Sequence, residues 1–236
     1  MKKLSIFPLA ILLLLLFSSC EIYQIVTLSG DLPQNDKFQF YNENSEVKVV
    51  YSFSGQGGPI HLDVFNKKDK PLYIDWSKCA LIINDQSYTL WTDEATIKGG
   101  ALEFKVNPNN SVKSITAFEG TISKQEKVTF IPPETMIVRD SYLVYSTIID
   151  NSGRPYQKIS LFTEKAEYNE HSARKYVYSR EDTPLKFKIF LMLSDREDFS
   201  NPIQLTGKFW ASDLVNTGVK SSNISMENQF YNTRVR

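Results

Sequence analysis

The sequence predicts an all-β fold, a single β-sandwich of immunoglobulin-like architecture behind an N-terminal signal peptide and tether. Three observations carry that prediction. Segments such as Glu46–Phe53 and Leu185–Leu193 alternate apolar and polar residues with a period of two, the pattern of a strand with one buried face. Turn-forming residues separate such segments at short intervals, as in Gly55-Gln56-Gly57-Gly58-Pro59 and Pro132-Pro133. Helical periodicity does not recur. The one helix candidate, Glu164–Lys175, has few apolar residues, so βαβ units are not expected.

The N-terminus comes first in chain order. Met1-Lys2-Lys3 is a short positive start, Ile6–Phe17 is an apolar run of twelve residues, and Ser18-Ser19 lead into Cys20. Twelve residues at 1.5 Å each span about 18 Å, short of a bilayer core of roughly 30 Å. An export signal needs only about 7–15 apolar residues, so residues 1–19 read as a signal peptide rather than a membrane span. Phe17-Ser18-Ser19-Cys20 resembles the bacterial lipobox, in which small residues precede a Cys that receives a diacylglyceryl group. It departs from that pattern at Phe17, where Leu is usual. The Cys20 thiol is the nucleophile such a modification requires, and each lipid CH₂ buried in a membrane contributes about 0.8 kcal/mol. The alternative is ordinary secretion, with Cys20 free to pair with Cys79. Residues 20–36 then read as a lipid-anchored tether, with a short strand at Ile22–Leu28, and 37–236 as the sandwich domain.

Within the domain, Val47, Val49, Tyr51 and Phe53 share one face of the first strong strand, and Ile60, Leu62 and Val64 share one face of the next. Leu72–Trp76 and Ala80–Ile83 follow, with Asn84-Asp85-Gln86 as a hairpin tip before Ser87–Trp91. Residues 93–123 have no clear period and are equally compatible with a strand pair or loops. Lys127–Ile131 is strand-like and ends at Pro132-Pro133, which donate no ladder hydrogen bond. Tyr142–Ile149, Tyr156–Phe162, Leu185–Leu193 and Ile203–Ala211 complete the expected strands. The Cys…Trp…Cys signature of true immunoglobulin domains is absent, so the likeness is one of architecture.

Composition excludes several functions. The 236 residues carry 27 basic and 27 acidic side chains, which leaves no basic field for nucleic acid. Removing residues 1–19 deletes Lys2 and Lys3 and no acid, so the mature chain has 25 basic and 27 acidic groups, a net of −2. Two His and two Cys do not suggest a metal centre, and no His-Glu-x-x-His, phosphate loop, Gly-x-Ser-x-Gly or Cys-x-x-Cys motif is present. No catalytic residue, metal ligand or cofactor is predicted. Cys79 lies in an apolar run and reads as a buried, inert thiol. Asp63, Asp75, Glu103 and Asp140, on or beside strands, are candidate glycosidase-type carboxylates, but no spacing singles out a pair. Among the tryptophans, Trp76 reads as core. Trp91 shares a face with Ser87 and Thr89 and is the weak candidate for stacking on a sugar ring.

Several blocks resemble an uncharacterised lipoprotein family of Bacteroidota-type bacteria. They are Tyr51–Ile60, Val64–Trp76, Phe130–Pro133, the opening Cys20-Glu21-Ile22-Tyr23-Gln24, Leu193-Ser194-Asp195 and Phe209-Trp210. The resemblance implies an outer-membrane lipoprotein and supplies no site residues. Surface-displayed relatives of this kind tend to carry an acidic cluster after the lipidated Cys. Here Glu21 stands alone, which leans the prediction toward the periplasm-facing leaflet. Lipid-anchored pilins are also similar, but they mature after an Arg near the N-terminus, and the first Arg here is Arg139. The function expected is therefore a lipid-anchored cell-envelope protein with a non-catalytic binding, scaffolding or accessory role. Its partners would be the membrane, through the lipid, and an envelope protein or glycan, with no nucleic acid. A carbohydrate- or cell-wall-binding module is the alternative, and a glycan-active hydrolase a distant one.

Overall fold

The structure is a computed structural model that describes residues 21–91, 95–106, 113–161, 171–218 and 226–235. Its strands in chain order are β1 (Glu21–Gly30), β2 (Phe40–Glu43), β3 (Val47–Ser52), β4 (Pro59–Asn66), β5 (Leu72–Asp75), β6 (Ala80–Ile83), β7 (Gln86–Thr89) and β8 (Ala95–Val106). They continue as β9 (Lys113–Lys124), β10 (Val128–Ile131), β11 (Met136–Leu143), β12 (Gln157–Leu161), β13 (His171–Val177), β14 (Lys186–Ser194), β15 (Pro202–Thr217) and β16 (Gln229–Val235). The chain is an all-β sandwich. One face is a four-stranded sheet of order β11-β4-β3-β2, and the other is a ten-stranded sheet with the spine β10-β5-β14-β15-β1-β16. Strands β6–β7 join the larger sheet through β14, and β12–β13 through β15.

Alternation builds the core. Val47, Val49, Tyr51, Ile60, Leu62 and Val64 point in from the small sheet and meet Phe187, Ile189, Leu191, Leu193 and Phe209 from the large one. Strand β15 organises the large sheet because it is long enough to hold two partners on one edge. Residues 202–210 pair with β14, residues 213–216 with β13, and β1 occupies the opposite edge. The Ser212 position is skipped in the β1 register, a bulge. It switches the inward parity, so that Ala211 and Leu214 both face the core. That switch is why the expected strand stops at Ala211 although the real one runs to Thr217.

Three further expectations are revised. The span 20–36, expected as a tether with a short strand at Ile22–Leu28, is in large part the longer strand β1, paired with β16 from Glu21 and with β15 from Tyr23. Its alternation is obscured because polar Gln24 is buried beside Val26 and Leu28. In the Glu164–Lys175 helix candidate, residues 171–175 form part of β13, since pairing with β12 and β15 overrides weak local preference; residues 164–170 lie outside the described residues. The expected Tyr142–Ile149 strand is displaced to β11, which ends at Leu143. Beyond it, Val144 and Tyr145 donate to the carbonyls of Gly58 and Gly57, and Ile149 donates to the Gln24 side chain. The open question of 93–123 resolves as the β8–β9 hairpin, paired from Ala95–Lys124 to Val106–Lys113. Residues 1–20, and with them the signal peptide and Cys20, lie outside the described residues.

The hairpin tip falls where expected. Asn84 and Asp85 have φ of 49° and 62°, the left-handed pair that a two-residue turn between β6 and β7 requires. Gly58 also sits at positive φ, and a Cβ there would come within 3.0 Å of the Phe230 ring, so the loop before β4 depends on glycine.

Candidate functional site

Trp91 closes the end of the β6–β7 hairpin. It is half-buried against the core, and its Nε1 donates to the Gln125 carbonyl at 3.2 Å. Trp76 is buried, its Nε1 donating to Thr129 Oγ1 at 2.9 Å and its ring covered by Arg139 at 4.7 Å. Cys79 is likewise core: its Sγ donates to the Asp75 carbonyl and accepts from the Met192 N–H. Burial pushes the Cys79 thiol up to about 12, with the Met192 hydrogen bond opposing and the Asp75 charge adding to the rise. A thiol so held carries almost no thiolate at neutral pH. Native protein should therefore not react with an aromatic disulfide reagent at Cys79. After unfolding it should release one equivalent if Cys20 is a thioether and two if Cys20 is a free thiol of the mature chain.

The four carboxylates separate. Asp75 is buried and structural: it accepts from Ser77 N–H and Oγ–H at the 3₁₀ turn Trp76–Lys78 and pairs with Lys78 at 3.3 Å. The Glu103 side chain lies outside the described residues. Asp63 and Asp140 come together around His61 on the outer face of the small sheet. Ser52, His61 and Asp140 stand directly opposite one another on β3, β4 and β11. His61 Nδ1 donates to Asp140 Oδ1 at 2.6 Å, since an ionised carboxylate only accepts. In a hydrolytic triad the acid is buried, which is how it fixes the imidazole. The Asp140 side chain here is 75% exposed.

Burial raises the pKa of Asp63 above the ordinary carboxylate value; His61 opposes the rise, and Asp140 and Glu227 reinforce it. A carboxyl raised on folding binds its proton more tightly in the native state, so native stability falls as pH climbs past its unfolded value of about 4. Asp63→Asn should thus stabilise the protein at neutral pH. The gain should vanish in acid, as thermal melts across pH would show.

Two clefts stand out among the described residues. One, of ≈ 740 Å³, lies where the 151–156 loop meets β13 and β15 and is lined by Asn151, Arg154, Tyr156, Arg174, Tyr176 and Asn216, among others. Its Arg154 is paired with Asp182 and lies over the Tyr178 ring, while Arg174 stacks 5.0 Å over Tyr156. The other, of ≈ 290 Å³, lies on the outer face of β6, β14 and β15. Alternation puts it there: Phe187 and Phe209 point to the core, so Lys186, Lys188, Lys208 and Trp210 must point away. Arg180 reaches over the Trp210 ring at 5.2 Å, and Asn84 and Asp85 of the hairpin tip form a rim. Sequence reasoning missed this cleft because its cations come from three separated segments, and the chain total near zero hides a local excess. The outward lysines of β14 were the available signal. Neither cleft is lined by His61, Asp63 or Asp140. No protein-family model, curated protein or solved structure matches the chain.

Proposed function

We propose that the chain is a lipid-anchored cell-envelope protein whose β-sandwich has a non-catalytic binding, scaffolding or accessory role. The observation that carries the reading is the export-signal pattern of residues 1–19 running directly into Cys20 through the lipobox-like Phe17-Ser18-Ser19-Cys20. Cys20 is bonded to Glu21, the first residue of a strand in the large sheet, so an acylated Cys20 would seat the sandwich close against the headgroups. The likeness to Bacteroidota-type lipoproteins points to the outer membrane, and the lone Glu21 after Cys20 to its periplasm-facing leaflet.

Cell fractionation tests the reading. The wild-type chain should sediment wholly with membranes, and Cys20→Ala should move it to the soluble envelope fraction. Identical behaviour of the two would overturn the anchor. Full protection from protease added to intact cells is expected for the periplasm-facing leaflet, and cleavage would place the protein on the surface instead. The alternative of a carbohydrate- or cell-wall-binding module is favoured by one observation, a cleft with an indole in its wall at Trp210.

A further inference from the structure

The cleft at Trp210 concentrates positive charge that no ion pair among the described residues neutralises. Lys188 stands directly opposite Lys208, and Lys186 opposite Trp210, on the paired strands β14 and β15. Like charges opposed across a sheet are destabilising. Among the described residues, none of Arg180, Lys186, Lys188 and Lys208 makes an ion pair. The acids nearby leave them uncompensated. Asp85 is the one carboxylate in the lining, and Asp31 is engaged by the Lys208 backbone N–H at 2.9 Å. Lys186 Nζ donates to the Glu181 carbonyl at 2.9 Å, which holds its charge without neutralising it. Arg180 stacks on the indole, an arrangement that anchors a guanidinium and leaves its N–H edge for an oxyanion.

We propose that this cleft binds a phosphate monoester carried by a small soluble molecule of the sugar-phosphate class. Four cations against one carboxylate call for a ligand with more than a single negative charge. A phosphate monoester supplies close to two charges, with three acceptor oxygens for ammonium and guanidinium donors. A volume of ≈ 290 Å³ is at the small end of ligand pockets, sized for a monosaccharide phosphate and not for a polymer. The inference deepens the binding role proposed above, and it stands whether or not Cys20 carries lipid.

Calorimetric titration of the purified mature protein with glucose 6-phosphate, inorganic phosphate and glucose tests it. Glucose 6-phosphate should bind with an affinity that falls as salt rises, and glucose should not bind. Tighter binding of glucose 6-phosphate than of inorganic phosphate assigns the site to a carried phosphate; equal binding keeps the oxyanion chemistry but removes the sugar from the proposal. Lys188→Gln/Lys208→Gln should weaken binding about tenfold or more. Its melting temperature should be unchanged or higher, because the substitution removes an opposed like-charge pair. Absence of binding at millimolar phosphate, equal binding of glucose, or unaltered affinity in the folded double variant would overturn the proposal. None of these outcomes depends on the anchor, which the fractionation decides separately.

Discussion

Phe209→Ala is expected to lower the unfolding free energy by about 3–5 kcal/mol, the range of a large aromatic deleted from a packed core. Phe209 is 1% exposed and touches four other rings. It lies edge-on to Phe40 at 5.0 Å and Phe53 at 5.1 Å, tilted to Tyr51 at 5.6 Å, and stacked on Phe187 at 5.2 Å. Phe40 and Tyr51 belong to the small sheet, and Phe187 and Phe209 to the large one, so this cluster is where the two sheets are joined. Removing the ring leaves a cavity lined by other rings, which cannot collapse without moving both sheets. Urea unfolding should show a lower midpoint with an unchanged slope, and Phe209→Leu should lose less than half as much. A midpoint within error of the wild type would mean that the sheets do not depend on this cluster.

Asn66→Ala is expected to cost about 2–4 kcal/mol, through stranded backbone groups more than through lost volume. Asn66 is fully buried near the end of β4. Its Nδ2 donates to the carbonyls of Lys70, Ile131 and Pro132 at 2.8, 3.1 and 3.0 Å, and its Oδ1 accepts from the Lys68 N–H at 3.0 Å. β4 is in the small sheet and β10, which ends at Ile131, is in the large one. One amide therefore ties the 66–70 loop and both sheets together at this edge. Alanine leaves the Lys68 N–H and three carbonyls to find other partners. Asn66→Asp keeps the acceptor and loses the donor while burying an acid, so it should be tolerated better in acid than at neutral pH. Equal stability of Asn66→Ala and wild type in chemical denaturation would contradict this role.

Much of the sandwich is legible in the sequence because its central strands are amphipathic. Val47 to Tyr51, Ile60 to Val64 and Phe187 to Leu193 alternate cleanly, and burial at every second residue is what the pattern reports. Where the local pattern blurs a strand or its bounds, there is a physical reason, although the short strand expected at Ile22–Leu28 does fall within β1. β1 buries Gln24, which donates to Asn216 and the Ile149 carbonyl, so a polar residue stands at an inward position. β11 exposes Met136 and Val138, and β15 shifts its parity at Ser212. Among the described residues the β8–β9 hairpin pairs only with itself, and it contains Gly99-Gly100, which weakens the strand pattern. In each case pairing that is distant in sequence decides what local periodicity does not.

The candidate site is less legible still. Arg180, Lys186 and Lys208 are unremarkable exposed residues until β14 and β15 bring them beside Trp210. Asp63 and Asp140 meet only because β11 pairs with β4. The proposed function rests on the N-terminus instead, and the chemistry proposed there is covalent. Cys20 needs no folded partner to be recognised, whereas a ligand cleft is defined by groups that sequence keeps apart.

The most direct test of the anchor is the intact mass of the protein purified from envelopes. The mature chain should begin at Cys20 and carry a diacylglyceryl thioether and an N-terminal acyl chain. A mass matching an unmodified chain, or one joined by a Cys20–Cys79 disulfide, would contradict the account.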